Sequence, residues 1–462
     1  MRRVIHWTGR GLGRHGLGLA VLAVLGLAVA RADDWPQWLG PQRDGVWRET
    51  GLVEKFPPGG PRVRWETPVG IGYAGPAVAN GRVYITDRLL APGVKNPESG
   101  FDRPALPGKE RVLCLDEKTG RVLWTYEYDC TYEIAYPGGP RTTPLVSGGK
   151  VYTLGAMGDL YCLEAAKGTV IWSKNFMKDY DAPAQQWGFS AHPLLDGDKL
   201  ICLVGGPGST AVAFHKDTGK ELWRSMNARE QGYSPPVIYD VAGRRQLIIW
   251  HPEAVNGLDP ETGKVYWSVP FKVRAGLSVP MPRLAGDRLL VSSFYNGSMM
   301  LKLGQDDKGQ PTATVLWRGK SQSEQPRLTD TLHSIIPTPV IKDGYIYGIC
   351  SYGELRCLRA DTGERLWETH QPTTGESVRW GNAFLVPNGN RFILFNEKGD
   401  LILARLTPKG YEEISRANIL EPTNTMPRRP VVWSHPAFAN KCVYARNDKK
   451  IICVSLAQED NR

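Results

Sequence analysis

The chain has 462 residues, a formal charge of +10, and 51 Gly, 35 Pro, 15 Trp and 8 Cys. Residues 1–32 carry five arginines and no acid; without them the charge is +5, with 52 basic against 47 acidic side chains and no dense Lys/Arg block. That removes the main support for nucleic-acid binding, and no apolar stretch beyond residue 32 reaches the roughly 20 residues of a helical bilayer span.

Arg2, Arg3, Arg10 and Arg14 precede an apolar run from Leu17 to Ala30, and Ala30-Arg31-Ala32 has the small-x-small pattern of a cleavage site. This is the layout of a secretory signal peptide over 1–32, cleaved after Ala32; an uncleaved membrane anchor is the rival reading. No cysteine sits where a lipobox would place one. The expected destination is the periplasm or the exterior, with no membrane span once the signal is removed.

Residues 33–61 form a lead rich in Trp, Gly and Pro, beginning Asp34-Trp35-Pro36-Gln37-Trp38-Leu39-Gly40-Pro41. Composition suggests that it packs across the outside of the domain. Arg62-Val63-Arg64-Trp65-Glu66 reads as a strand with no hairpin before it.

From there one unit recurs. It opens with a proline, a short apolar strand, a Gly/Asn/Asp turn and a second strand, as in Pro76-Ala-Val-Ala-Asn-Gly-Arg-Val-Tyr and Pro144-Leu-Val-Ser-Gly-Gly-Lys-Val-Tyr; Pro193, Pro236, Pro282, Pro339 and Pro436 open similar runs. Proline as the first residue of a strand costs no ladder hydrogen bond. A hairpin follows, typified by Leu113–Trp124, with Asp116, Thr119 and Gly120 as turn formers and a tryptophan at the end. The tryptophans Trp124, Trp172, Trp223, Trp267, Trp317 and Trp367 are 48, 51, 44, 50 and 50 residues apart, a period that signals tandem structural repeats. The 97-residue gap from Pro339 to Pro436 hides a degenerate unit opening near Phe384, with Ile414 where the tryptophan is expected.

The last unit supplies strands at Val431–Phe438, Cys442–Arg446 and Ile451–Leu456 but no tryptophan strand, whereas the strand around Trp65 lacks its other three. Joining them closes a ring without an open seam. The sequence therefore predicts an all-β, eight-bladed β-propeller of four-stranded blades over 62–457, with a polar tail at 458–462. Two excesses, Leu89–Glu110 and Gly304–Thr314, read as loops on a face of the disc.

Cys114, Cys162, Cys357 and Cys453 share one slot of the repeat, filled by Ala213 in another copy. That is the pattern of a small buried residue rather than a disulfide framework. The turn acids Asp116, Asp217, Asp259 and Asp361 and the seven tryptophans (Trp65 included) are structural on the same ground, because repetition in register explains them. No metalloprotease, nucleophile-elbow or phosphate-loop motif occurs, and no metal site is nominated.

The repeat Leu-x-Cys/Ala-Leu-Asp-x-x-Thr-Gly-x-x-x-Trp resembles the tryptophan-docking motif of the pyrroloquinoline-quinone (PQQ) propellers over roughly Val63 to Leu456. That resemblance implies the propeller fold and two branches of function: quinoprotein alcohol and sugar dehydrogenases, and non-enzymatic members such as the BamB-type outer-membrane assembly component. The dehydrogenase branch implies PQQ with Ca²⁺, a base aspartate and usually a vicinal Cys-Cys disulfide. This chain has no adjacent cysteines, and no catalytic or calcium position carries over. The expectation is a non-catalytic binding or scaffold propeller with a protein or envelope-polymer partner. A divergent PQQ-dependent oxidoreductase and a carbohydrate- or envelope-polymer-binding propeller are the alternatives.

Candidate ligand-binding residues lie in the connections between units, which all reach one face of a propeller. They are Tyr136, Arg141, Trp187, His192, Tyr233, His333, Arg379, Trp380, Asn382, Trp433 and His435. Aromatics, Arg and His at equivalent points around a ring would make a funnel for a flat or anionic ligand. The same residues also read as packing at the channel mouth and caps on strand ends.

Overall fold

Each proline-led unit folds as one four-stranded antiparallel sheet, in the computed structural model that describes residues 33–425 and 428–461. The expected signal sequence lies outside these residues. Among them are eight such sheets, arranged as an eight-bladed propeller. Blade 1 is Ala77–Ala79, Arg82–Leu90, Gly108–Asp116 and Val122–Asp129; the following blades open at Leu145, Leu194, Val237, Arg283, Val340 and Ala383. Pro76, Pro144, Pro193, Pro236, Pro282, Pro339 and Pro436 each stand immediately before an innermost strand, where the missing N–H is not needed by the ladder. Blade 8 combines Ala437–Ala439, Cys442–Arg446 and Lys450–Ser455 with the N-terminal strand Val63–Pro68, which pairs Trp65 with Cys453. The first strand of blade 8 is thus shorter than the expected Val431–Phe438; Val431 instead makes an isolated bridge to Asn424.

The core is divided among the blade interfaces. One apolar cluster joins blades 2 and 3 through Leu160, Trp172, Phe176, Leu200 and Phe214, and another joins blades 4 and 5 through Trp250, Val255, Leu289 and Met299. Outer strands alternate exposed and buried residues, as in Glu221–Ser225, while inner strands such as Ala77–Ala79 are wholly buried.

One contact recurs at six of the eight blade interfaces. The indole of Trp65 donates to Glu117 O in the hairpin turn of blade 1 (2.8 Å); Trp124 donates to Ala165 O, Trp172 to Lys216 O, Trp223 to Pro260 O, Trp317 to Ala360 O and Trp367 to Thr407 O, at 2.8–3.2 Å. Each of the first three rings, like that of Trp223 and Trp317, also lies on the turn glycine of the next blade. Gly219 has φ +67°, and a Cβ there would stand 2.7 Å from the Trp172 ring; Gly120 has φ +70° and would meet Trp65 at 2.5 Å. The turn glycine is therefore required twice, by its left-handed backbone and by the ring above it. In every blade the residue before the tryptophan position is skipped in the register, a β-bulge at Arg64, Leu123, Ile171, Leu222, Tyr266, Leu316, Leu366 and Ile414. Opposite the tryptophan sits the small slot: Cys114, Cys162, Ala213, Cys357 and Cys453. All eight cysteines are buried and free.

Two interfaces depart. In blade 5 the expected loop 304–314 is mostly strand, with Gly304 paired to Thr312 and Gln305 to Pro311, so the turn is carried away from blade 4. Trp267 folds back over Gly257 of its own blade, where a Cβ would be 2.2 Å from the ring, and donates to Gln246 Oε1 (2.7 Å). In blade 7 the bulge places Ser415, not Ile414, at the docking position, opposite Leu403.

The lead supplies what blade 7 lacks. The N–H of Phe56 donates to Ser415 Oγ (3.0 Å), Trp47 N to Pro387 O and Val53 N to Leu456 O, and the Asn388 amide donates to Trp47 O and Glu49 O. The earlier part of the lead, by contrast, does not pack across the outside. Trp35 pairs with Val78 on the inner strand of blade 1, Pro36 O accepts from Val146 N, and the Arg43 guanidinium donates to Pro193 O (2.9 Å), His192 O (3.2 Å) and Pro236 O (3.1 Å). Trp35 and Trp47 are 2 % and 1 % exposed. Residues 35–43 plug the axial channel, because tryptophans there bury more apolar surface among inner strands than they could against an outer rim, and residues 52–60 continue outward to the last strand of blade 7.

The double requirement on the docking glycine is testable. Gly219→Ala is expected to cost about 3 kcal/mol, from left-handed strain and from overpacking against Trp172. Gly148→Ala (φ +55°, nothing within 4 Å) should cost about 1 kcal/mol. Equal shifts in urea midpoint would remove the ring from the explanation.

Candidate functional site

In each blade the outermost strand runs toward one face, and the connection to the next innermost strand crosses that face. At its centre opens a cavity of about 430 Å³, within the roughly 300–1,000 Å³ usual for small-molecule sites. Nine of the sequence candidates line it: Tyr136, Arg141, Trp187, His192, Tyr233, Arg379, Trp380, Trp433 and His435. Two do not. His333 is fully buried, with Nδ1 3.0 Å from Phe294 O and Nε2 3.6 Å from Asp330. Asn382 is 1 % exposed and does not line the cavity. A connection has two sides, and only one faces the axis.

The walls are aromatic. Tyr136 meets Trp380 edge-on at 6.4 Å and Trp433 at 6.1 Å; across the cavity Trp187 meets Tyr233 edge-on at 5.7 Å. Tyr136 (φ 52°), Trp380 (φ 63°) and Ala275 (φ 57°) all adopt the left-handed backbone conformation, which costs of order 1–3 kcal/mol per non-glycine residue and persists where the surroundings enforce it. Three such residues line one cavity, two of them with large rings.

Three features escaped the sequence reading. The floor is Trp38 of the lead, flanked edge-on by His192 (4.1 Å) and His435 (5.0 Å); the aromatic richness of the lead was its only signal. Phe101, 47 % exposed, comes from the long excursion in blade 1 and touches Tyr136 (5.3 Å) and Trp380 (6.0 Å) at the rim. Only the two ends of that excursion are strand, with Leu89 paired to Lys109 and Leu90 to Gly108; residues 91–107 form the loop the sequence predicts. It is anchored by buried Glu110, which accepts from the hydroxyls of Tyr128 and Tyr132 and from Ala156 N, and by Arg88 over the Tyr132 ring at 3.7 Å. Burial raises the Glu110 carboxyl above its ordinary range despite those donors. The third feature is an aliphatic patch, Leu277, Val279, Ile335 and Ile336.

The cavity has little free charge. Arg141 donates to the carbonyls of Gly139, Ala135 and Tyr136, and Arg379 pairs with Glu324 (2.9 Å) beneath the Trp380 ring (4.7 Å). No Asp or Glu lines it. Burial lowers His435 to about 4, and burial with the nearby Arg43 charge lowers His192 well below the usual imidazole range, so both are neutral at pH 7. His435 Nδ1 lies 2.6 Å from Pro436 O; a carbonyl only accepts, so Nδ1 carries the proton and Nε2 is an acceptor. Trp38 Nε1 and His192 Nδ1 are buried without a hydrogen-bond partner. Among the described residues no group of three or more His, Cys, Asp or Glu is placed to hold a metal ion, and no helix is long and apolar enough to cross a membrane.

The family model described as outer membrane protein assembly factor BamB matches residues 49–203, 108–369 and 207–415, in overlapping registers as expected of a repeat. The chain is 23 % identical over 276 residues to outer membrane protein assembly factor BamB of Yersinia pestis, covering 56 % of this chain and 64 % of that protein. It therefore spans less than two thirds of this curated relative. Among solved structures, BamB from Moraxella catarrhalis superposes with TM-score 0.52 at 16 % identity, over 84 % of this chain and 96 % of that one. Quinohemoprotein alcohol dehydrogenase from Comamonas testosteroni gives 0.58 at 14 % identity, over 92 % and 80 %. At such identities the two structures share the fold alone.

The neutral histidines predict an acid limb of stability. A buried His435 that protonates only near pH 4, against about 6.5 when unfolded, stabilises the fold fully above pH 6.5. This contribution is lost as pH falls toward 4, because the unfolded chain binds the proton first. The loss is roughly 3 kcal/mol, at about 1.36 kcal/mol per pH unit. His435→Asn should flatten the fall in urea midpoint between pH 6.5 and 4; an unchanged slope would exclude His435 as its source.

Proposed function

We propose that this chain, which belongs to the PQQ-repeat propeller family whose model is described as outer membrane protein assembly factor BamB, is an exported envelope protein that binds a partner through its central cup and performs no catalysis on it. The observation that carries this reading is the lining of the cup: aromatic walls, two arginines already paired, two neutral histidines and no carboxylate. General acid–base chemistry needs a titratable group whose pKa lies near the working pH, and none faces this cavity. The export pattern in residues 1–32 and the BamB-like relatives support an envelope location. Within that setting the partner is a protein segment or an envelope polymer.

The alternative is a divergent quinoprotein oxidoreductase, and the residues of the cup do not fit its cofactor. PQQ is a flat tricarboxylate, and Ca²⁺ takes roughly six to eight oxygen ligands, carboxylates among them. The cup has no carboxylate for the cation, and its guanidinium groups are committed to backbone carbonyls and to Glu324.

Incubated with PQQ and Ca²⁺, the purified protein is expected to leave an artificial electron acceptor unreduced with any primary alcohol or aldose, in a spectrophotometric assay. Dye reduction above the protein-free rate would sink the non-catalytic reading.

A further inference from the structure

We propose that the cup binds the terminal pyranose ring of a neutral glycan chain, a reading that rests on the non-catalytic binding function above. Three independent observations converge on this ligand class.

The cup is blind. Alternation of strands puts the hairpin turns between third and fourth strands on the face opposite the cup. The lead starts on that opposite face, where Asp34 accepts from Asn80 N in the first turn of blade 1 (3.0 Å). It rises into the channel as far as Trp38 and Arg43, then returns to Pro387 and Leu456. A polymer cannot thread through, so only a chain end reaches the floor.

The floor is matched to hydroxyls. Trp38 Nε1–H is a donor without a partner, His192 Nδ1 is a buried atom without one, and His435 Nε2 is an acceptor on a residue that lines the cavity. A hydroxyl both donates and accepts, so neighbouring hydroxyls on one ring can satisfy a donor and neutral imidazole nitrogens together. A carboxylate only accepts, and would leave the imidazole acceptor unmet; an ammonium only donates, and would leave the indole unmet. A ligand that leaves buried polar atoms unpaired binds at a cost, which gives this floor a selective preference.

The walls are matched to the apolar faces of a sugar ring. The Trp187–Tyr233 pair and the Tyr136–Trp380–Trp433 group stand on opposite sides of the cavity, and their rings offer large, rigid contact area at low conformational cost. Tyr136 and Trp380 are held there in left-handed backbone, a local cost borne at the position where a ligand would be gripped. Phe101 at the tip of the blade 1 excursion stands over the same group and would flank the second sugar unit.

Isothermal calorimetry and tryptophan fluorescence, with short neutral oligosaccharides of gluco, manno, galacto and xylo configuration, test this directly. Uronic-acid oligomers and an aromatic-rich peptide set serve as the other arms. At least one neutral series is expected to bind, with an affinity that stops rising once the chain exceeds two or three units. Trp187→Ala and Trp380→Gly should each weaken that binding at least about tenfold. Trp380→Gly should do so with the thermal midpoint held or raised, because glycine relieves the left-handed strain. That readout separates loss of a binding face from loss of fold. Absence of neutral-sugar binding at millimolar concentration, binding confined to the uronic acids or the peptides, or unchanged affinity in both variants would overturn the proposal. None of these outcomes reduces an electron acceptor, so the non-catalytic reading is tested separately from the choice of ligand.

Discussion

An indole laid on a turn glycine, with its N–H aimed at a turn carbonyl, is the contact on which this ring depends. A single four-stranded blade exposes both of its faces and cannot bury a core alone. The indole sets how far one blade advances on the next and at what angle, and the bulge before it supplies the twist. Repeated six times, at Trp65, Trp124, Trp172, Trp223, Trp317 and Trp367, it fixes a regular ring whose connections meet at one centre.

The two interfaces without this contact show what replaces it. Between blades 4 and 5 the lengthened hairpin removes the acceptor, and Trp267 finds Gln246 instead while the apolar cluster of Trp250, Leu289 and Met299 carries the packing. Between blades 7 and 8 the turn is lost to ring closure and the tryptophan is a serine. Residues 47–56 of the lead stitch that seam with backbone hydrogen bonds. The same lead, a few residues earlier, closes the channel with Trp35 and Trp38. One segment therefore both completes the ring and converts a pore into a cup.

The architecture was legible because its determinants are local and repeated: Asp-x-x-Thr-Gly-x-x-x-Trp counts the blades, and the orphan strand around Trp65 names its partner. Non-local features were not. The lead has no periodicity, and its route into the channel is set by Arg43 bonding Pro193 and Pro236, some 150 and 193 residues away. Ile414 was one residue off because a bulge shifts the register, which spacing alone does not reveal. For the cup, the connections could be named from composition, and nine of eleven residues face it. His333 and Asn382 turn the other way, and Trp38 and Phe101 arrive from segments outside the repeat. Frame and cup are separated in this chain: the repeated residues make the frame, and the unrepeated ones between and before them line the cup.

Outer strand edges offer the competing location for binding, since Leu123, Ile171 and Leu222 at the bulges are exposed around the rim. Hydroxyl-radical footprinting of the protein, with and without the soluble polysaccharide and protein fractions of a bacterial envelope, distinguishes rim from cup whatever the chemical identity of the ligand. If the cup is the working surface, Trp187, Tyr233, Trp380 and Trp433 become protected while the rim residues keep their rates. Protection along Leu123, Ile171 and Leu222, with the cup unchanged, would contradict the central claim.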